Sequence, residues 1–200
     1  MNHFIKTYDN ALSESECNFV IDFINQSNLI RGKCGNGIVD LKSKDSNDFG
    51  MNLNHREGNY TTDNDAGNLY LKVNGIIFDA LCNSIELYVK ENPQLNDIAK
   101  WRYHPDYNLQ KYFPNQAYHS SHCECDNLQH ASRVCAWMFY FNTIQDGGGT
   151  HFDSYDYITN AVQGRCVIWP AYWTHFHHGI VSKTETKYIA TGWINYVDSV

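Results

Sequence analysis

Apolar residues in the first quarter of the chain keep a helical period. Cys17, Val20, Ile21 and Ile24 recur at i, i+3, i+4 and i+7, which lines one face of a helix. Ser13-Glu14-Ser15-Glu16 stands just before them. A Ser followed three residues later by Glu exchanges hydrogen bonds with the open backbone N–H groups of a helix start. Gln26-Ser27-Asn28 marks the end of that helix. Residues 31–67 lose the period and are rich in Gly, Asn, Asp, Ser and Lys. A polar run of this length inside a compact domain reads either as a functional loop, such as a lid over a site, or as a surface insertion. One short strand is expected within it, at Ile38-Val39-Asp40-Leu41. A second helix is expected from Asp65 to Lys90, carried by Ile77, Leu81, Ile85 and Tyr88 and stopped by Glu91-Asn92-Pro93.

Beyond residue 100 the pattern shortens. Apolar or alternating runs fall at 107–113, 117–125, 134–142, 165–170, 173–178 and 187–197. Asp146-Gly147-Gly148-Gly149 supplies a turn between two of them. Several short strands at close spacing predict a sandwich or barrel. The expected fold class is therefore α+β, a helical layer on a β core. Residues 1–200 are expected to form a single domain, with helical support and the polar loop in 1–100 and the β core in 101–200.

Composition narrows the function. Hydrophobic residues make up 42% of the chain and charged residues 18%, a globular and not a disordered balance. The net charge is −7, with Lys and Arg scattered singly; no nucleic-acid partner is expected without a basic face. No run is apolar enough to predict a membrane span. The start of the chain does not read as a secretory signal, and the cysteine count of seven is odd. Reduced thiols in the cytoplasm are the expectation.

The histidines change the picture most. Seven of the ten lie between His119 and His178. On a strand, residues i and i+2 share a side, so His122 and Glu124 face one way while Cys123 and Cys125 face the other. A later strand brings a third donor, from His175 or His177, which share parity. Two imidazoles and one carboxylate on one side of a metal leave its other positions open, the donor set of non-haem iron(II) oxygenases. A closed four-ligand zinc site has no such opening. A single His-x-Glu is weak by itself. The signal lies in the order: Tyr112, His-x-Glu, a Gly-rich turn, a His, then a Lys ten residues on.

Several stretches then resemble a known family in the right order. They are Leu109–Pro114, Tyr118–Glu124, Arg133–Asn142, Gly147–Phe152, Gly164–Pro170, His177-His178-Gly179 and Lys187–Ile194. Together they are similar to the prolyl 4-hydroxylase-like branch of the Fe(II)/2-oxoglutarate-dependent oxygenases. The resemblance implies a double-stranded β-helix (jelly-roll) core with the N-terminal helices packed on one sheet. It implies that His122, Glu124 and His177 hold iron, since the family ligand precedes a small residue and Gly, ten residues before the Lys. Lys187 would pair with the distal carboxylate of 2-oxoglutarate, and Tyr112 would donate to the same group. Strand parity puts Lys187, Ile189, Thr191 and Trp193 on one face, so Thr191 would add a hydroxyl and Trp193 a wall. His175 is left either as a neighbour of the metal shell or as an exposed side chain, and His119 and His151 receive no role.

One departure stands out: the family usually has Asp where this chain has Glu124, with Asp126 as the fallback donor. The implied cofactors are Fe(II), 2-oxoglutarate and O2, with ascorbate as an optional reductant. The implied reaction is hydroxylation of an unactivated C–H bond, with a prolyl residue of a peptide or protein as the expected substrate and a small molecule as the other option. A nucleobase substrate is disfavoured, because relatives of that kind usually use Arg to hold 2-oxoglutarate. Two other classes remain: a cupin-type metalloprotein that does not use 2-oxoglutarate, and a non-catalytic jelly-roll binding module.

Overall fold

Short strands and glycine turns in the second half of the chain, joined by strands from the first, build two facing sheets. The computed structural model describes residues 3–35, 37–56 and 65–197. In chain order its elements are β1 (Lys6–Tyr8), α1 (Glu14–Gln26), β2 (Ile30–Arg31), β3 (Asn47–Asn52), α2 (Asp65–Glu91), α3 (Gln94–Ile98), β4 (Trp101–Tyr103) and β5 (Asp106–Tyr112). They continue with β6 (Arg133–Tyr140), β7 (Thr150–Phe152), β8 (Tyr157–Thr159), β9 (Cys166–Pro170), β10 (His177–Gly179) and β11 (Lys187–Tyr196). The larger sheet runs β1-β9-β6-β11-β5-β3-β2, with β4 also on β11; the smaller runs β10-β7-β8. Every strand pair is antiparallel. This is the expected double-stranded β-helix, with no closed barrel among the described residues.

Alternation along the central strands sorts the core into two. On β6, Cys135, Trp137 and Phe139 join a core shared with Val20 and Ile24 of α1 and Ile77 and Leu81 of α2. Ala136, Met138 and Tyr140 point to the opposite side, into a second core with Phe152 and Trp169 between the sheets. A period of two does this directly. Phe152 of the small sheet meets Trp169 of the large one edge-on at 5.5 Å. Close packing demands glycine at position 192, where a Cβ would lie 2.4 Å from the Trp137 ring. Trp137 is fully buried, and truncating such a side chain typically costs about 3–5 kcal/mol.

Both long helices follow the sequence pattern. The capping box of α1 is present, with Ser13 and Glu16 bonded reciprocally. Three strand expectations fail in whole or in part. Ile38–Leu41 forms no strand, and the strand of the polar stretch is β3. Its pairing with β5 supplies the backbone bonds, and its buried Asp48 is satisfied by Lys44, Ser46 and Gln110. Neither 117–125 nor 173–178 is a regular strand. The first makes isolated bridges at Tyr118 and His122; the second opens with a 3₁₀ turn over Trp173–His175 before β10. Residues 57–64 of the expected polar loop lie outside the described residues.

Candidate metal centre and its pocket

The site forms where the two sheets open. His122 and His177 are bridged by a reciprocal backbone pair, His122 N–H to the His177 carbonyl at 3.0 Å and His177 N–H to the His122 carbonyl at 2.9 Å. Such a pair sets both side chains on one side, and the two rings lie 4.4 Å apart. Each Nδ1 meets a carbonyl: Ser120 at 3.0 Å for His122, and His175 at 2.9 Å for His177. A carbonyl only accepts, so each Nδ1 carries the proton and each Nε2 presents a lone pair. Glu124 is brought in by its N–H bond to the Ala171 carbonyl. Its Oε1 stands 3.7 Å from His122 Nε2 and 3.4 Å from His177 Nε2. Those separations are long for hydrogen bonds and short enough for donors that share one ion.

Electrostatics suit a cation. Burial would raise the Glu124 carboxyl, but the two imidazoles beside it hold it well below the usual carboxylate range. Burial, with His122 as a like charge, pushes His177 below the ordinary histidine value and so towards the neutral donor form. His122, Glu124 and His177 are one of two groups of this kind among the described residues. The other is His151, Asp153 and His178, on the outer face of the small sheet. There the donors satisfy each other directly, with His151 Nδ1 3.0 Å and His178 Nδ1 2.9 Å from Asp153 Oδ1.

The inner triad lines a cavity of about 290 Å³, together with Tyr112, Lys187, Thr191 and Trp193. Lys187 is only 5% exposed. Its ammonium sits over the face of the Tyr112 ring, 4.7 Å from Nζ to centroid. Among the described residues no carboxylate or other acceptor bonds its ammonium, and burial pulls its pKa down to about 8. A buried unpaired cation is costly, and an incoming carboxylate would relieve it. The donor set and this ammonium together fit a metal ion and a carboxylate-bearing co-substrate.

The other expected pocket residues are present with different partners. The Tyr112 hydroxyl donates to Gln110 Oε1 at 3.0 Å, and the Thr191 hydroxyl donates to the Trp137 carbonyl at 3.2 Å. Trp193 walls the cavity, but its Nε1–H also donates to Glu124 Oε2 at 2.6 Å. His175 turns away, its Nε2 2.7 Å from the His3 carbonyl. Asp126 pairs with His130 at 2.6 Å and stays outside the triad. Sequence reasoning missed the buried Lys44–Asp48 ion pair at 2.7 Å. Nothing in a polar, aperiodic stretch flagged it except the i, i+4 spacing. It also missed Arg133, which stacks on Trp193 with its guanidinium carbon 3.7 Å from the ring centroid.

Residues 107–195 match the family model of the 2OG-Fe(II) oxygenase superfamily. No curated protein matches the chain. Among solved structures, the 2OG complex of the viral collagen prolyl hydroxylase vCPH from Paramecium Bursaria Chlorella virus-1 is similar at TM-score 0.68 and 20% identity, over 97% of each chain. A Trichoplax adhaerens prolyl hydroxylase, in complex with a hypoxia inducible factor oxygen degradation domain peptide fragment, is similar at TM-score 0.74 and 12% identity. That match covers 98% of this chain and 84% of the other. A Pseudomonas putida prolyl-4-hydroxylase reaches TM-score 0.65 at 13% identity, over 98% and 95% of the two chains. At such identities the likeness is one of fold.

Proposed function

We propose that this 2-oxoglutarate-dependent dioxygenase, whose residues 107–195 match the 2OG-Fe(II) oxygenase family model, hydroxylates a prolyl residue of a peptide or protein at a centre held by His122, Glu124 and His177. The observation that carries the assignment of residues is the joint one. Three convergent donors and an unpaired buried ammonium line a single cavity. The prolyl substrate is supported by the solved relatives, which are prolyl hydroxylases and of which one holds a peptide fragment.

The chain's residues divide the work. His122 Nε2, His177 Nε2 and Glu124 Oε1 would hold the iron, and their carbonyl-bonded Nδ1 atoms keep the rings from turning. Bound there, the iron supplies oxidative decarboxylation of 2-oxoglutarate by O2 and oxidation of an unactivated C–H bond. Lys187 would receive the distal carboxylate of 2-oxoglutarate from the floor of the cavity. Tyr112 braces the ammonium with its ring and turns its hydroxyl to Gln110, so its part is to shape the floor. Thr191 and Trp193 bound the same space from β11.

The test is succinate formation with Fe(II), 2-oxoglutarate and O2, with and without a proline-rich peptide. Turnover stimulated by the peptide and lost in His122→Ala and His177→Ala is the expected result. Turnover that these substitutions leave unchanged would remove the residue assignment. Turnover indifferent to every prolyl peptide, with hydroxylation of a small molecule instead, would remove the substrate.

A further inference from the structure

Glu124 is an awkward metal ligand on its own. Compared with aspartate it carries one more freely rotating bond, so holding its carboxylate at a fixed point costs more conformational freedom. The structure contains a clamp for that longer arm. Oε1 faces the two imidazole Nε2 atoms at 3.4 and 3.7 Å. Oε2 takes the Trp193 indole N–H at 2.6 Å. Arg133 lies against the indole face, its guanidinium carbon 3.7 Å from the ring centroid. Its Nη1 also donates to the Glu124 backbone carbonyl at 2.9 Å and stands 3.9 Å from Oε2.

Trp193 is itself held by the sheet. It pairs with Ala136 of β6, and its carbonyl accepts the His104 N–H at 2.9 Å. The indole nitrogen therefore starts from a rigid strand and meets a carboxylate that starts from an irregular segment.

We propose that Trp193, stacked on Arg133, is the positioning residue that lets a glutamate serve in this iron centre. By taking Oε2 it fixes the arm and leaves Oε1 as a single metal donor. The proposal rests on the assignment of His122, Glu124 and His177 to the metal. It does not require Trp193 to touch substrate or 2-oxoglutarate.

The test is cobalt(II) binding to the whole chain without 2-oxoglutarate or peptide, followed by calorimetry and by the ligand-field spectrum. Trp193→Phe removes the N–H while keeping a ring for Arg133. It is expected to weaken cobalt binding by about 10–100-fold, the usual effect of losing a hydrogen bond that orients a metal ligand. Glu124→Asp withdraws the carboxylate from the indole, so adding Trp193→Phe to it is expected to change affinity by less than about 2-fold. Equal losses in the Glu and Asp backgrounds would overturn the proposal, because the indole would then act without regard to the longer arm. If Glu124→Asp binds no metal or does not fold, the spectrum of Trp193→Phe decides. A moved ligand-field band supports the clamp; an unchanged band with unchanged affinity overturns it. His177→Ala separates the two readings. Loss of cobalt there, with Trp193→Phe unaffected, removes the clamp alone. Wild-type protein that binds no cobalt removes the clamp and the metal assignment together.

Discussion

The small sheet carries two histidine–carboxylate clusters on its two faces, and adjacent residues divide between them. His177 points inward to His122 and Glu124, and His178 points outward to His151 and Asp153. The donor types are the same, yet the arrangements differ. In the outer cluster nitrogen and oxygen meet at 2.9 and 3.0 Å and exposed Asp156 joins at 3.1 Å, so the groups neutralise each other. In the inner one they stand off at 3.4 and 3.7 Å. Carbonyls hold the far side of each ring and Trp193 holds the spare carboxylate oxygen. The outer partners are partly exposed, and each histidine turns a ring nitrogen directly to Asp153. Inner partners are kept apart by bonds that point away from their centre. A candidate metal site is thus marked less by its residue types than by what prevents them from pairing.

The sharpest way to break this contrast is to remove one histidine from each cluster. His177→Ala is expected to abolish metal binding and to lower succinate formation by roughly three orders of magnitude or more, since metal chemistry supplies several kcal/mol. His178→Ala is expected to leave turnover within about twofold, the scale of an exposed ion pair. Equal effects from the two would erase the distinction.

Next in size is Lys187. Its truncation to Met is expected to weaken 2-oxoglutarate binding roughly 10–100-fold, from the ~1.5–3 kcal/mol of a charge-assisted contact. The same change should raise the melting temperature of the protein without co-substrate, because it deletes a buried unpaired cation. Calorimetric titration and thermal unfolding on one sample check both.

The pH dependence follows from the same group. Burial lowers Lys187 from the ordinary 10.5 to about 8, so between those values the unfolded chain holds a proton that the folded chain has released. Stability contributed by this group therefore rises with pH across that window. Urea unfolding at pH 7.5 and 9.5 should show the difference in the wild type and lose it in Lys187→Met.

The smallest effect belongs to the outer face. The hydrogen bonds of His151 to Asp156 and then Asp153 raise its pKa above the ordinary 6.5. Whatever stability this gives is fully present below pH 6.5 and is lost as pH rises through the raised value. An NMR titration should place the His151 midpoint above 6.5, and Asp156→Asn should bring it down, with a cost in stability below about 1 kcal/mol.

Periodicity and local chemistry were enough for much of this chain. The 3.6-residue period of Cys17, Val20 and Ile24 gave α1, and Ser13 and Glu16 fixed its start, because helices and caps are made by near neighbours. The period of two put Lys187, Ile189, Thr191 and Trp193 on one face of β11, and the ordered spacing of His122, Glu124, His177 and Lys187 pointed to a single pocket. Other features depended on partners far along the chain. Asn47–Asn52 is a strand because β5 bonds it, whatever its polar composition. His122 and Glu124 converge without a regular strand beneath them, since the pairing of His122 with His177 and of Glu124 with Ala171 does that work. Parity left His175 and His177 equivalent, and a 3₁₀ turn separated them, sending one ring to the His3 carbonyl and the other towards His122 and Glu124. The bond from Trp193 to Glu124 crosses 69 positions of sequence. No local rule reaches that far: a hydrogen bond needs two atoms within about 3 Å, and only the closed sheets bring these two together.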